Sequence, residues 1–192
     1  MADLFVALIH YPVLNRNGRV VTSAITSLDL HDIARSACTY GVRAMYMVHP
    51  VAEQREFALR VLDHWRLDHG RLYDSRRREA LELVEVVEDL EAALKAASAL
   101  ANAYPILVYT SARASGGASY RELRSRVEEN GGPPFMLMLG TGFGLAPVMR
   151  HRADLVLNAV RGPGEYNHLS VRAAASVILD RLRGGELPIT PP

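Results

Sequence analysis

The chain has 192 residues, 49% of them hydrophobic and 22% charged, which excludes a disordered, collagen-like or disulfide-stapled protein and leaves an ordinary globular one. With 22 Lys and Arg against 21 Asp and Glu, the net charge is +1, so the overall balance does not mark a nucleic-acid binder and any basic face must be local. Cys38 is the only cysteine, which excludes an intramolecular disulfide and a multi-cysteine metal site and fits a reducing, cytoplasmic setting.

Lys95 is the only lysine, so the positive charge is almost all Arg, a bias that suits phosphate and base contacts but also follows from a GC-rich genome or thermal adaptation. The N-terminus lacks the basic stretch and small-residue cleavage site of a signal peptide, and nothing there directs export. Residues 130–149 carry no charge but hold five glycines and three prolines, so they read as strand and loop rather than a membrane span.

In chain order, Leu4–Ile9 reads as the first strand, and Asn17-Gly18 between two Val-rich pairs as a hairpin turn. Asp29 is the expected N-cap of a helix ending near Gly41, with Leu30, Ile33, Ala34 and Ala37 on one face. Strand Ala44–Val48 follows, then a helix over 52–69 with Phe57, Val61, Leu62 and Trp65 inward. Residues 81–87 read as a strand, and Asp89 opens a helix to Ala101. Three further strands are expected at Ile106–Tyr109, 135–139 and 155–160, separated by helices over 120–129 and 146–152. The last helix is expected from Asn167, with Val171, Ala174, Ala175, Ile178 and Leu182 on one face, and a frayed tail over 184–192. Alternating strands and helices predict an α/β fold: a mostly parallel six-stranded sheet with helices on both faces, as one domain over 1–183.

In such sheets ligands sit at the carboxyl ends of strands. Three ends bear suitable chemistry: Tyr109-Thr110-Ser111-Ala112-Arg113, the turn Gly140-Thr141-Gly142-Phe143-Gly144-Leu145, and the turn from Arg161-Gly162-Pro163-Gly164 to Ser170. Glycine tolerates positive φ and lets a ligand approach the backbone, so paired glycine turns make a cradle for a small polar molecule. Gly140-x-Gly142 also resembles the glycine motif of Rossmann-type methyltransferases and oxidoreductases. Those folds place it after the first strand, whereas here it comes late.

Three stretches resemble SPOUT-class RNA methyltransferases, the trefoil-knotted family with TrmH-like and TrmD-like members. Asp29-Leu30-His31-Asp32-Ile33-Ala34-Arg35 resembles the first motif, with Asp29 in place of an Asn and Arg35 keeping the spacing. Met138-Leu139-Gly140-Thr141-Gly142 is similar to the second motif, and Asn167-His168-Leu169-Ser170-Val171 to the third, where Tyr166 and His168 replace the Ser and Asn of TrmH-like members. The likeness runs over nearly the whole chain. It implies a deep C-terminal trefoil knot, an RNA substrate (tRNA or rRNA), and a homodimer through the last helix. It also implies S-adenosylmethionine held by Thr110, Ser111, Gly140, Thr141, Gly142, Gly144, Leu145, Val160, Arg161, Gly162, Tyr166, Asn167, His168, Leu169 and Ser170.

Methyl transfer from a sulfonium is an in-line displacement that needs alignment of the acceptor and removal of its proton, with no metal or covalent nucleophile. Arg35 is the candidate for orienting a phosphate or assisting deprotonation, and Glu165 for handling the proton. The plainer readings are a surface ion pair for Arg35 and a solvated carboxylate for Glu165. The seven histidines show no metal spacing, Arg76-Arg77-Arg78 reads as a solvated helix entry, and Ser115-Gly116-Gly117-Ala118 as a flexible loop that in the resembled class closes over RNA. A knotted RNA-binding module without turnover is the alternative function, and a Rossmann-type enzyme a distant third.

Overall fold

The computed structural model describes residues 1–67 and 74–185. The strands are β1 Leu4–Ile9, β2 Val13–Leu14, β3 Val20–Val21, β4 Ala44–Val48, β5 Val84–Val87, β6 Ile106–Tyr109, β7 Phe135–Gly140 and β8 Leu155–Val156. The helices are α1 Ser27–Thr39, α2 Ala52–Arg66, α3 Ser75–Glu82, α4 Leu90–Ala101, α5 Tyr120–Glu128, α6 Pro147–His151 and α7 Val171–Arg183. Six strands form one sheet in the order β5-β4-β1-β7-β6-β8, and every pairing in it is parallel.

Every residue of β1 is buried, as expected for a central strand covered on both faces. It pairs with β4 from Phe5↔Ala44 to Ile9↔Val48 and with β7 from Leu4↔Phe135 to Ile9↔Gly140. Its alternation divides the core. Leu4, Val6 and Leu8 pack with Leu30 and Ile33 of α1, Leu62 of α2, Leu81 of α3, Leu123 of α5 and Ile178 of α7. Phe5, Ala7 and Ile9 pack on the opposite face with Leu90, Ala93, Leu94 and Ala97 of α4 and Met149 of α6. Because all six strands run the same way, their carboxyl ends share one edge of the sheet, where the site lies.

The β2–β3 hairpin forms as the Asn17-Gly18 signal predicts, with Leu14 opposite Val20 and Gly18 at φ +73°. Asp89 caps α4 as expected, its side chain accepting from Ala92 N at 2.8 Å. Elsewhere the boundaries move, for identifiable reasons. The N-cap of α1 is Thr26, not Asp29: the Thr26 hydroxyl accepts from Asp29 N at 3.2 Å, which places Asp29 in the first turn. The expected strand over 81–87 is divided. Asp74 caps α3 by accepting from Arg77 N at 3.0 Å, α3 runs through Glu82, and only Val84–Val87 is strand. The helix expected over 52–69 is described as far as Arg66, and its last two positions lie outside the described residues.

The strand expected over 155–160 is ladder only at Leu155–Val156: Leu157 N still donates to Tyr109 O at 2.9 Å, and from Asn158 the backbone donors turn from β6 to the 111–118 loop. The last helix begins at Val171 rather than Asn167, since Ser170 is its N-cap and accepts from Ala173 N at 3.2 Å. Of the expected tail, 186–192 lies outside the described residues. Among the described residues no helix is long and apolar enough to cross a membrane.

Candidate active site

The first wall of the site is the turn that follows β7. Gly142 at φ +59° and Gly144 at φ +100° adopt backbone that L side chains rarely take, so the path of the turn depends on glycine. The β2–β3 hairpin fixes that path through backbone hydrogen bonds. Leu14 N donates to Gly144 O at 2.8 Å, Phe143 N to Leu14 O at 3.0 Å, and Ala146 N to Pro12 O at 3.0 Å. The hydroxyls of Ser23 and Thr141 are hydrogen-bonded to each other and close the seam from the segment that leads into α1.

The opposite wall is a zipper between the 111–118 loop and the chain that leaves β8. Ala118 N donates to Val156 O at 2.8 Å, Asn158 N to Ala118 O at 3.0 Å, and Ala159 N to Ala114 O at 3.1 Å. The Asn158 amide accepts from Gly117 N at 3.0 Å and donates to Gly117 O at 3.1 Å. Further on, Asn167 Nδ2 donates to Ala112 O at 2.8 Å. The loop that reads as flexible in the sequence is therefore pinned. At its base Thr110 donates its hydroxyl to Met138 O at 2.8 Å, which ties the ends of β6 and β7 together.

Between these walls lies a cleft of about 900 Å³. Of the residues singled out from the sequence, Thr110, Ser111, Gly140, Thr141, Gly142, Gly144, Val160, Arg161, Glu165, Asn167, His168, Leu169 and Ser170 line it. Leu145, Gly162 and Tyr166 do not. Leu145 turns into the core and bridges to Val13, while Tyr166 is 83% exposed and lies against the His168 ring. Arg35 is exposed and lines a neighbouring groove of about 600 Å³ between α1 and α7, together with Tyr40, Arg172 and Ser176. Ser170 lines both hollows.

Sequence reading missed the floor contributed by Ser23, Ala24, Thr26 and Asp29, and the wall positions Asn158 and Ala159. For the floor a signal existed: Thr26-Ser27-Leu28-Asp29 has the spacing of a helix-start box, Ser or Thr followed three residues later by an acid. Asp29 is nearly buried, accepts from the Thr26 hydroxyl at 2.7 Å, and pairs with Arg172 at 3.1 Å. Arg172 also reaches Asp32 at 3.4 Å, so one guanidinium ties the two helices at the boundary between cleft and groove.

Behind the floor, His10 at the end of β1 is fully buried, and neither ring nitrogen has a hydrogen-bond partner. Burial, with the neighbouring His49 ring at 5.4 Å, pushes its pKa down to about 4, so it is neutral near pH 7. His49 is lowered mainly by burial; Val51 N donates to its Nδ1 at 3.1 Å, which leaves Nε2 as the donor to Ser23 O at 2.9 Å. Among the described residues no three His, Cys, Asp or Glu side chains are grouped to hold a metal ion.

The cleft combines apolar surfaces from Leu139, Val160, Leu169 and Ile178 with the glycine turn of 140–144, polar groups of the segment from Arg161 to Ser170, and the Glu165 carboxylate. Such a lining fits a ligand with a flat base and a charged polar end, and S-adenosylmethionine has that form. The glycine turn follows β7, not β1, which is not the Rossmann order.

The chain is 40% identical over 182 residues to a tRNA (guanine-N(1)-)-methyltransferase of Nitratidesulfovibrio vulgaris, covering 95% of this chain and 42% of that protein. It spans less than half the length of that relative and of the similarly named one from Oleidesulfovibrio alaskensis. Its fold is similar to the SpoU methyltransferase AviRb of Streptomyces viridochromogenes, crystallised with AdoMet, at a TM-score of 0.55 and 16% identity over 94% of this chain and 56% of that one. The A. aeolicus TrmH/SpoU tRNA modifying enzyme gives a TM-score of 0.57 and 16% identity over 95% and 75% of the two chains. These likenesses establish a SpoU/TrmH-type fold. Residues 3–184 match the family described as SAM-dependent RNA methyltransferases, and the chain belongs to that family.

Proposed function

We propose that this chain transfers a methyl group from S-adenosylmethionine to a base nitrogen or ribose oxygen of RNA, with tRNA the first substrate to test. The observation that carries the reading is the cleft: a late glycine turn after β7 facing the segment from Arg161 to Ser170 that follows β8, in a chain matched to the family over 3–184. Residues 1–183 act as one catalytic domain in this reading.

When bound, the cofactor supplies an electrophilic methyl on a sulfonium. The backbone of 140–144 and of 110–112 would hold it, in a cleft whose apolar lining includes Leu139, Val160 and Leu169. The chain's own contribution is alignment. The groove beside Ser170, lined by Arg35 and Arg172, holds the acceptor nucleotide through its phosphate, for which a permanently charged guanidinium is suited. Glu165, exposed in the cleft, would accept the proton that the acceptor atom gives up on methylation.

Family likeness supports a homodimer through α7, which light scattering would test. The zipper between the 111–118 loop and the segment after β8 supports the knotted path. The lone Cys38 fits a cytoplasmic setting. Calorimetry with S-adenosylmethionine and its demethylated product, followed by transfer of tritiated methyl to tRNA, tests the proposal. Absence of binding heat with both ligands would sink it, and binding without transfer across RNA substrates would favour a knotted RNA-binding module.

A further inference from the structure

The hairpin Val13–Leu14/Val20–Val21 has no part in the chemistry above, yet three backbone hydrogen bonds join its strand β2 and Pro12 to the glycine turn of the cleft. Its tip is exposed. Arg16, Asn17, Gly18 and Arg19 all face solvent, and the Asn15 side chain shapes the tip by accepting from Asn17 N at 2.9 Å and Arg19 N at 3.0 Å.

Many arginines elsewhere in the molecule are engaged. Arg43 pairs with Asp3, Arg124 with Glu128 and Arg152 with Glu91, while Arg55, Arg66 and Arg183 donate to backbone carbonyls. The side chains of Arg16 and Arg19, by contrast, make no ion pair or hydrogen bond among the described residues. The same is true of Arg161 and Arg113, which line the cleft and are exposed. Arg35, Arg60, Arg76, Arg121 and Arg150 have no such partner among the described residues either, but each stands on a different helix; the hairpin differs in holding two free guanidinium groups three positions apart on an arm fixed to the cleft, whose lining carries the exposed carboxylate of Glu165.

We propose that the β2–β3 hairpin is a phosphate-gripping arm that docks the RNA backbone beside the cleft through Arg16 and Arg19. The proposal rests on the RNA-methyltransferase reading and assigns the surface that reading leaves open. Guanidinium groups suit phosphate oxygens, and the rigid attachment of the arm to the cofactor turn makes RNA held on it register against the reacting methyl. The contacts are with the backbone, so they contribute affinity and position rather than sequence choice.

The test is the salt dependence of binding of the full chain to unfractionated bacterial tRNA, for wild type, Arg16→Ala/Arg19→Ala, Arg16→Lys/Arg19→Lys and, on α2 outside the cleft, Arg60→Ala. Two lost phosphate contacts make the slope of log K against log salt shallower by about 1.4 to 1.8 in the double Ala variant. The wild-type advantage then shrinks by about tenfold between 50 and 200 mM salt. The Lys pair, which keeps the charge, and Arg60→Ala retain the wild-type slope. S-adenosylmethionine affinity is unchanged in the double Ala variant, which shows that the glycine turn is intact. An unchanged slope in the double Ala variant, an equal change in Arg60→Ala, or wild type that does not bind tRNA overturns the arm. Wild type that binds tRNA with these slopes but gives no heat with S-adenosylmethionine leaves the arm standing and removes the methyl-transfer reading.

Discussion

Gly117→Ala gives the sharpest test of how the cleft is closed. A Cβ at position 117 would sit 2.1 Å from Val156 O and 2.8 Å from Val156 C, where real Cβ contacts do not fall below 3.0 Å. Loop and β8 must therefore separate by at least 0.9 Å, and both obstacles are backbone, so no side-chain rotation relieves the clash. That movement acts on three hydrogen bonds: Ala118 N to Val156 O at 2.8 Å and the two between Gly117 and the Asn158 amide at 3.0 and 3.1 Å. At about 1 kcal/mol net for each, stability falls by about 2–4 kcal/mol, read as a lower urea midpoint at constant m. Because Asn158 and Ala159 line the cleft, S-adenosylmethionine affinity falls tenfold or more by calorimetry. Gly164→Ala is the control: nothing lies within 4 Å of its Cβ position, so its midpoint stays within about 0.5 kcal/mol of wild type. A Gly117→Ala protein with wild-type midpoint and cofactor affinity would refute the pinned-loop account.

Other consequences can be checked by similar means. Asp29→Asn keeps the side-chain shape but removes the charge facing Arg172 at 3.1 Å; the pair is part-buried, so the loss lies between surface and buried values, about 1–2 kcal/mol in urea unfolding. Arg172→Ala, which leaves the Asp29 charge with only its Thr26 hydroxyl, costs more, and the reverse ranking would contradict the pairing. His10 has a folded pKa of about 4 against 6.5 for an ordinary His, so the unfolded chain binds the extra proton first. Its contribution is complete above pH 6.5 and falls between 6.5 and 4, by about 2 kcal/mol at pH 5, with His49 acting in the same direction. His10→Leu therefore narrows the gap between urea midpoints at pH 7.5 and pH 5, and an undiminished gap would assign the acid sensitivity elsewhere. Ser170→Ala removes the α7 cap that accepts from Ala173 N at 3.2 Å and lowers stability by about 1 kcal/mol, whereas Ser170→Thr costs less.

What was legible in the sequence was decided locally. Long apolar runs such as Leu4–Ile9 and Ala44–Val48 specify buried strands, Asn17-Gly18 specifies a tight hairpin, and Asp89 caps the helix that follows it. Where two local solutions competed, distant partners chose between them. Thr26 and Asp29 both offer a cap for α1; the Asp29 carboxylate is engaged by Arg172, 143 positions away, and by the Thr26 hydroxyl, and Thr26 takes the cap. The glycine-rich loop is held by an amide 41 residues downstream, which composition does not show. Spacing put Arg35 on α1 but did not say which hollow it faces. It faces the groove rather than the cleft. The turn after β7 was legible because its conformation depends on residue type, with Gly142 and Gly144 both at positive φ.

The sheet order also sets a timetable for synthesis. β1 lies between β4 and β7, and β7 begins at residue 135, so one edge of the most apolar strand stays open until 126 further residues have been made. At ordinary translation rates that interval is about 6 to 25 s. During it the nascent chain presents an unpaired hydrophobic edge, the kind that seeds association between neighbouring chains. Chaperone demand for this protein should therefore peak before β7 appears, and the cleft, whose turns follow β7 and β8, is completed only after that hazard has passed.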